Sequence, residues 1–146
     1  MKISTKGRYA IRIMLDIASH KDQQRVSLKE IANRQEISVK YMEQIISLLC
    51  KAGLLKSTRG AQGGYSLAKD PAQYRLGEIL RVTEGELAPV ACLEGHDNHC
   101  PRKAICETLP FWQGLYALIN DYVDQYTLDD LLEQQLQVQD TVGEDI

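Results

Sequence analysis

The chain has 146 residues, of which 44% are hydrophobic and 25% charged, and its formal net charge is −3. This length and composition favour one soluble globular domain, and no apolar run approaches the roughly 18 residues that a membrane span requires. A signal peptide is also excluded, because Lys6, Arg8, Arg12 and Asp16 interrupt any apolar stretch at the N-terminus. We therefore expect a protein of the reducing cytoplasm, where clustered cysteines bind metal or do redox chemistry more often than they form disulfides.

The charge is divided unevenly along the chain. Residues 1–70 carry 13 Lys and Arg against 6 Asp and Glu, a net charge of +7. Residues 71–146 carry 4 against 14, a net charge of −10. A basic half joined to an acidic half indicates that the first half binds a polyanion.

The first part of the chain predicts three helices. Apolar residues at spacings of three and four predict a helix over residues 5–20. Ser27 predicts the start of a short helix, LKEIANRQ, and Ser38 predicts the cap of a third helix that runs to Ala52. The third helix has an apolar face and an opposite polar stripe. Two helices joined by a short turn, the second with a polar outer face, are typical of a helix-turn-helix.

The segment that follows, LLKSTRGAQGGYSL, predicts a β-hairpin. Two strand-like runs, Leu54–Thr58 and Tyr65–Leu67, flank the glycine-rich RGAQGG, whose glycines permit a tight connection. A hairpin directly after a recognition helix forms a wing. A further helix is predicted over Leu76–Glu84. The expected fold is mainly α with a small β-hairpin wing, a winged helix-turn-helix over residues 1–85.

Beyond residue 85 we predict a cysteine loop (residues 86–108), a dimerisation helix with a short terminal helix (residues 109–136), and a disordered acidic tail (residues 137–146). The dimerisation helix carries a seam of large apolar residues at spacings of three and four, typical of helix pairing. Its members are Trp112, Leu115, Ile119, Tyr122 and Tyr126. We expect a homodimer, because DNA-binding proteins usually present two half-sites.

Six side chains are candidates for contact with double-stranded DNA: Ser38, Lys40, Tyr41, Glu43, Gln44 and Arg59. Gln44 can address adenine bidentately, and Glu43 can accept a hydrogen bond from cytosine. Ser38 at a helix N-terminus suits a phosphate oxygen, and Arg59 at the wing tip suits a narrow minor groove. The alternatives remain open, since Lys40, Glu43 and Gln44 fit a solvated surface equally and Tyr41 fits packing at the helix start.

Three segments together carry a family resemblance: KISTKGRYAIRIMLDIA, ISVKYMEQIISLLCKAGLLKSTRGAQGGYSL and LGEILRVTEG. They resemble the IscR/CymR/NsrR family of bacterial winged-helix transcription regulators, and the resemblance extends to about residue 136. It implies a homodimer on a two-fold symmetric operator, with base contacts from Ser38–Gln44 and Arg59 in the minor groove. It also implies that a loop with three cysteines holds an iron–sulfur cluster in some members. Other members lack these cysteines and work through a partner protein.

Residues 92–106, CLEGHDNHCPRKAIC, hold three of the four cysteines and two of the three histidines. Seven residues separate Cys92 from Cys100 and five separate Cys100 from Cys106, so the Cys-x-x-Cys of a zinc ribbon is absent. Soft thiolates suit an iron–sulfur cluster, and we expect 2Fe–2S with a fourth ligand of another type. A zinc site, a thiol redox switch and a loop without metal remain alternatives. Cys50, on the third helix, reads as a small buried hydrophobic residue.

The fourth ligand does not carry over from the resembling family. Members that use histidine place it three residues after the last cysteine, where this chain has Leu109, and the nitric-oxide-sensing branch draws a carboxylate from the first helix, where it has Arg8. His96 is the first candidate within the loop. The other local candidates are Glu94, Asp97, His99 and Glu107.

Together these features predict a homodimeric DNA-binding transcription regulator that senses iron–sulfur, redox or nitric oxide status. The alternatives are a cluster-free regulator of cysteine or sulfur metabolism under a partner protein, a zinc-stabilised DNA-binding protein, and a winged helix used only for protein contacts. We do not expect an enzyme, because the sequence shows no nucleophile–base pair and lacks the motif of zinc deaminases.

Overall fold

The computed structural model describes residues 1–134, so the predicted acidic tail over residues 137–146 lies outside the described residues. The chain forms helices α1 (Thr5–Ser19), α2 (Leu28–Gln35), α3 (Val39–Lys51), α4 (Leu76–Glu84) and α5 (Leu109–Gln125) and strands β1 (Leu55–Thr58) and β2 (Gly64–Leu67). Short 3-10 turns cover Pro71–Gln73 and Ala91–Leu93, and residues 128–134 are also helical. The predicted fold class, mainly α with one β-hairpin, is confirmed. No helix within residues 1–134 combines the length and apolar character that crossing a membrane demands.

Serine caps set where the first three helices begin. Ser4, Ser27 and Ser38 have extended backbone and accept hydrogen bonds from the amides of Gly7, Glu30 and Tyr41, at 3.3, 3.2 and 3.2 Å. Each cap satisfies an amide that would otherwise lack a partner in the first turn. The start of α3, which carries most of the candidate DNA contacts, is therefore encoded locally.

One face of α1 lies at the centre of the core. Ala10, Ile13 and Met14 are fully buried, and α1 packs against α2, α3, α4 and β2. The other helices and β1 contribute the rest of the continuous apolar cluster, which includes Ile31, Met42, Ile45, Ile46, Leu49, Leu54, Leu55, Tyr74, Ile79 and Leu128. Helix α1 thus packs against both α3 and α4.

A buried carboxylate ties α1 to α2. The Asp16 side chain is only 2% exposed and accepts two hydrogen bonds from Arg34, at 2.7 and 3.0 Å, and one from Gln35 at 2.8 Å. The hydrogen bond with Asp16 raises the pKa of Arg34, so this guanidinium stays charged. This bidentate pair sets the position of α2 against α1 and was not predicted from the sequence.

The turn between α2 and α3 is closed by a residue in the left-handed region. Glu36 caps α2 with φ 55°, and the amide of the buried Ile37 donates to the carbonyl of Ala32 at 3.1 Å. This is the arrangement of a left-handed C-terminal cap with an apolar residue behind it. The angle between α2 and α3 is therefore set by backbone bonds and by one buried side chain.

The hairpin is attached to the body at two points. Val26 pairs with Tyr65 through two backbone hydrogen bonds of 2.9 and 2.8 Å, which adds a short third segment beside β2. The buried Tyr74 hydroxyl donates to the Leu54 carbonyl at 2.7 Å and accepts from the amides of Ala68 and Lys69 at 2.8 and 3.1 Å. The two ends of the hairpin are thus joined through one phenol.

Helix α5 is held at its C-terminal end. The Leu76 amide donates to the Tyr126 carbonyl at 2.9 Å, and the Leu128 amide donates to the Tyr74 carbonyl at 3.1 Å. Thr127 and Asp130 cap the helical residues 128–134 reciprocally, with bonds of 2.8 and 3.2 Å. None of the residues of α5 itself is buried.

We predict that Tyr74→Phe lowers the free energy of unfolding by about 1–3 kcal/mol, because it leaves a buried carbonyl and two amides without their shared partner. Urea denaturation followed by circular dichroism measures the change. Tyr65→Phe, which removes the hydroxyl of a half-buried tyrosine in the same hairpin, is the matched control. Equal unfolding free energies for Tyr74→Phe and the wild type would contradict the role of this hydroxyl.

Candidate nucleic-acid interface

The outer face of α3 is polar because its other face is used by the core. Met42, Ile45, Ile46 and Leu49 are buried, whereas four of the candidate DNA contacts are exposed: Ser38, Lys40, Glu43 and Gln44. Their exposure results from the period of the helix, which sends the two sets of side chains to opposite sides. The structure therefore leaves these four side chains free to meet a groove.

Tyr41 lies differently from the other candidates on α3. It is half-buried and packs edge-on against Tyr9 of α1, with ring centroids 5.8 Å apart and planes at 72°. The Arg12 guanidinium lies over the Tyr9 ring at 4.9 Å from its centroid. Of the two interpretations that the sequence left open for Tyr41, the structure supplies the contact for packing at the start of α3.

Arg59 is exposed at the tip of the hairpin, directly after β1. Gly60 follows it with φ 111°, in the region that favours glycine, and a Cβ on Gly63 would lie 2.3 Å from the Thr58 carbonyl oxygen. These two glycines allow the chain to reverse tightly beneath Arg59. A long cationic side chain is thus presented at the end of a narrow projection.

Two further residues of this region were missed by the sequence analysis. The Arg25 guanidinium donates to the Gln62 carbonyl at 3.2 Å, and this bond links the hairpin tip to the segment before α2. Val39, the first residue of α3, is 46% exposed and lines an open depression of about 760 Å³ between α2 and α3 with Lys29 and Ser38. An exposed apolar side chain at that position can meet a thymine methyl group.

The predicted seam on α5 separates into two faces in the structure. Trp112, Leu115, Ile119 and Tyr126 are half-buried, whereas Tyr122 is 62% exposed. Two residues outside the predicted seam, Phe111 and Leu118, are 66% and 68% exposed. Spacings of seven and four place Phe111, Leu118 and Tyr122 on one side of the helix.

An apolar groove of about 460 Å³ runs beside this exposed side of α5. Leu118, Ile119, Tyr122 and Val123 of α5 form one wall of the groove, and Met1, Ile3, Leu80 and Leu87 complete its lining. The exposed apolar residues of α5 are therefore continuous with a second apolar surface made by the N-terminus and α4.

The cysteine loop, residues 86–108, contains one 3-10 turn and otherwise irregular backbone within which Cys92, Cys100 and Cys106 are half-buried and unpaired. The Cys100 amide is held by the Asn98 side chain at 3.0 Å, and His96 is exposed. Across residues 1–134 no group of three or more His, Cys, Asp or Glu side chains is gathered closely enough to hold a metal ion. The three thiols share one loop without meeting at one point.

The thiols differ in their chemical environment. The side-chain hydrogen bond with Thr108, at 3.4 Å, lowers the pKa of Cys106, and the backbone at the start of α5 and Arg102 act in the same direction. Burial instead raises the pKa of Cys50 on α3. Cys106 is thus suited to act as a thiolate, whereas Cys50, predicted to be buried, is half-buried and packs against the apolar cluster.

Comparison with known proteins agrees with this architecture. Residues 3–134 match the model of the family described as Rrf2, iron-dependent transcriptional regulator. The chain is 43% identical over 132 residues to protein rrf2 of Nitratidesulfovibrio vulgaris, an alignment that covers 90% of this chain and 87% of that protein.

Two solved structures are similar over almost the whole chain. The structure of IscR from T. potens is 41% identical with a TM-score of 0.77, and the match covers 95% of this chain and 91% of that one. The structure of CymR, the global cysteine regulator of B. subtilis, is 39% identical with a TM-score of 0.72, covering 92% and 98%. The hairpin and the helices before it therefore have the arrangement of a winged helix.

Proposed function

The chain belongs to the Rrf2 family of transcriptional regulators, and from this premise we propose that it is a homodimeric, cytoplasmic regulator whose DNA affinity depends on an iron–sulfur cluster in its cysteine loop. Its relatives are DNA-binding regulators of transcription and not enzymes. The observation that carries the proposal is the joint exposure of the polar face of α3 and of Arg59 beside it, in the basic half of the chain.

We assign the reading of base edges to α3. Gln44 has the amide geometry for an adenine edge, and Glu43 accepts a hydrogen bond from cytosine N4. We assign phosphate contacts to Ser38 and Lys40 at the start of α3 and to Arg25, whose guanidinium bonds the hairpin tip. Arg59 enters the minor groove next to the major groove that receives α3. Tyr41 contributes by fixing the start of α3 through its contact with Tyr9.

The partner that we propose for the exposed side of α5 is a second copy of the chain. Phe111, Leu118 and Tyr122 are too large and too apolar to remain as a contiguous solvent-exposed patch, and the adjoining groove extends the same surface. A two-fold symmetric dimer places two α3 helices on one side, as two half-sites require. The seam of α5 predicts helix pairing from the sequence, and we add the exposed Phe111 and Leu118 to the proposed interface.

The cysteine loop fits an iron–sulfur cluster by the chemistry of its donors. Cys92, Cys100 and Cys106 supply three soft ligands, and the lowered pKa of Cys106 favours its thiolate. The exposed His96 is the first candidate for the fourth position. When bound, the cluster supplies redox and ligand-exchange chemistry that responds to oxygen, nitric oxide or cluster supply.

Because the three thiols do not meet in the described structure, the loop has to fold inward for them to share one cluster. The loop joins the end of α4 to the start of α5. A change in its fold therefore alters the position of the dimer helix relative to the DNA-reading body. The Glu86 carboxylate accepts a hydrogen bond from the Gly95 amide at 2.6 Å and so holds one turn of the loop in the described structure. DNA affinity then follows the state of the loop.

A second candidate function is regulation without a cluster, through a partner protein. The likeness to the CymR structure and the separation of the three cysteines favour it. The cluster proposal accounts better for three cysteines within fifteen residues. Iron and sulfide content of protein purified without oxygen separates the two candidates.

We predict that Arg59→Ala weakens binding to an operator selected from a random DNA library by about 1–3 kcal/mol, because a minor-groove contact is lost. Fluorescence anisotropy at fixed salt measures the loss, and circular dichroism checks the fold. Lys69→Gln, which removes a positive charge from an exposed ion pair with Glu78 beyond the other end of the hairpin, is the control and keeps wild-type affinity. An Arg59→Ala protein that binds as tightly as the wild type would refute the role of the wing.

We predict that Tyr122→Asp converts the dimer into monomers at micromolar concentration, because it places a charge in the apolar contact. Sedimentation velocity measures the mass. Operator affinity should fall at least about 100-fold, since a single half-site binds weakly. Gln113→Asp adds the same charge to another face of α5 and leaves the dimer intact. A Tyr122→Asp protein that sediments as a dimer removes this face from the interface.

We predict that replacing Cys92, Cys100 or Cys106 with Ala abolishes the visible absorption of protein reconstituted with iron and sulfide under nitrogen. Cys50→Ala is the control and keeps the spectrum, because this thiol lies on α3 away from the loop. His96→Ala should alter the spectrum if His96 is the fourth ligand. A wild-type protein that stays colourless and takes up one zinc ion per chain rules out the cluster and favours a zinc site.

A further inference from the structure

The joint between α4 and α5 contains a side-chain clamp that the proposed function does not yet use. The Arg81 guanidinium of α4 donates to both carboxylate oxygens of Asp124 on α5, at 2.8 and 2.9 Å. The same guanidinium donates to the Asn120 side chain, one turn earlier on α5, at 2.9 Å. A planar fork that engages two successive turns fixes the rotation of α5 as well as its distance from α4.

The backbone is shaped to admit this clamp. Gly77 lies in α4, one turn before Arg81, and a Cβ built on it would be 2.0 Å from the Asp124 Oδ1 atom and 2.8 Å from the Val123 Cγ2 atom. Any larger residue at position 77 would displace the carboxylate. The close approach of α4 to α5 and the bidentate pair therefore depend on one another.

The clamp adds a side-chain attachment to the pairing at the C-terminal end of α5. There Leu76 and Leu128 bond to residues 126 and 74 through their backbones, and the Arg75 side chain donates to the Gln125 carbonyl at 3.5 Å. One attachment point leaves a helix free to pivot, and two points define a direction. The rest of α5, from Leu109 toward residue 119, has no fully buried residue, and Trp112, Leu115 and Ile119 are half-buried.

The length of this lever makes its angle important. Phe111 precedes Asp124 by 13 positions, which is about 20 Å of helix at about 1.5 Å per residue. A pivot of about 10° at the clamp moves Phe111 by about 3.4 Å, which equals the rise of one base pair. A small change at the joint therefore moves the proposed dimer contact by about one base-pair step relative to the DNA-reading body of the same chain.

We propose that Arg81 is a positioning residue for operator choice, which sets the separation of the two half-sites by aiming α5 through Asp124 and Asn120. This inference rests on the proposed dimer and extends it from base contacts to half-site spacing. Arg81 touches no DNA in this role; it acts through the dimer helix. The cysteine loop also connects α4 to α5, so the loop and the Arg81 clamp both act on the angle between these two helices.

The test uses the full-length dimer and a set of selected operators whose half-sites are separated by spacers that differ in single base pairs. The wild type should prefer one spacer over its neighbours by about tenfold, since other spacings demand twisting or bending of the DNA. Arg81→Gln keeps the length of the side chain and removes the fork. It should reduce the spacer preference at least about threefold, or move it by one base pair, while sedimentation still shows a dimer.

Three companion variants make the result specific. Arg81→Lys keeps the charge without the bidentate fork and should behave like Arg81→Gln. The exchanged pair Arg81→Asp with Asp124→Arg keeps a bidentate pair but loses the Asn120 bond, and it should restore part of the wild-type spacer preference. Lys69→Gln breaks a different exposed ion pair, which joins Lys69 to Glu78 of α4 at 3.2 Å, and should leave the spacer preference unchanged.

A purely structural role would lower affinity equally for every spacer, and that result overturns the inference, as does a spacer profile of Arg81→Gln that matches the wild type. If Arg81→Gln does not fold, the profile of Arg81→Lys decides between the same two outcomes. Failure of the wild type to bind any spacer as a dimer refutes the proposed function itself and the inference with it.

Discussion

The burial of one face of α1 is the constraint on which the rest of the structure depends. Ala10, Ile13 and Met14 have no exposed surface, and α2, α3 and α4 all pack against this helix. Loss of that support would leave α3 and α4 held only by their direct contact, so the proposed base-reading helix and the proposed dimer helix would no longer share a frame. The Asp16–Arg34 pair adds a buried polar contact that joins α2 to the same helix.

Local features of the sequence predicted most of the fold, because they act over a few residues. Serine caps and a period of 3.6 located α2, α3 and α4 to within a residue, and glycines located the hairpin. Long-range partners were not predictable. In the sequence Asp16 only interrupts an apolar run, and nothing in the sequence pairs Arg81 with Asp124, 43 positions away. On α5 the seam was visible, but only the position of α4 decides which of its faces stays exposed.

The candidate site divides in the same way. The polar stripe of α3 and Arg59 followed from amphipathicity and turn chemistry, whereas the packing of Tyr41 on Tyr9 required the tertiary structure. For the cysteine loop, residue types indicated the chemistry and the coordinates describe a loop whose thiols are apart. These two observations are compatible if the loop has two arrangements. A loop that joins α4 to α5 can then convert ligand binding into a change at the Arg81 clamp.

The central claim is that the state of the cysteine loop sets DNA affinity through the joint between α4 and α5. The most direct test is the dissociation constant for one selected operator, measured without oxygen on a single preparation before and after its cluster is removed by a chelator. Iron and sulfide analysis confirms full and zero occupancy. The account predicts dissociation constants that differ at least about fivefold. Equal constants at full and zero occupancy would contradict it.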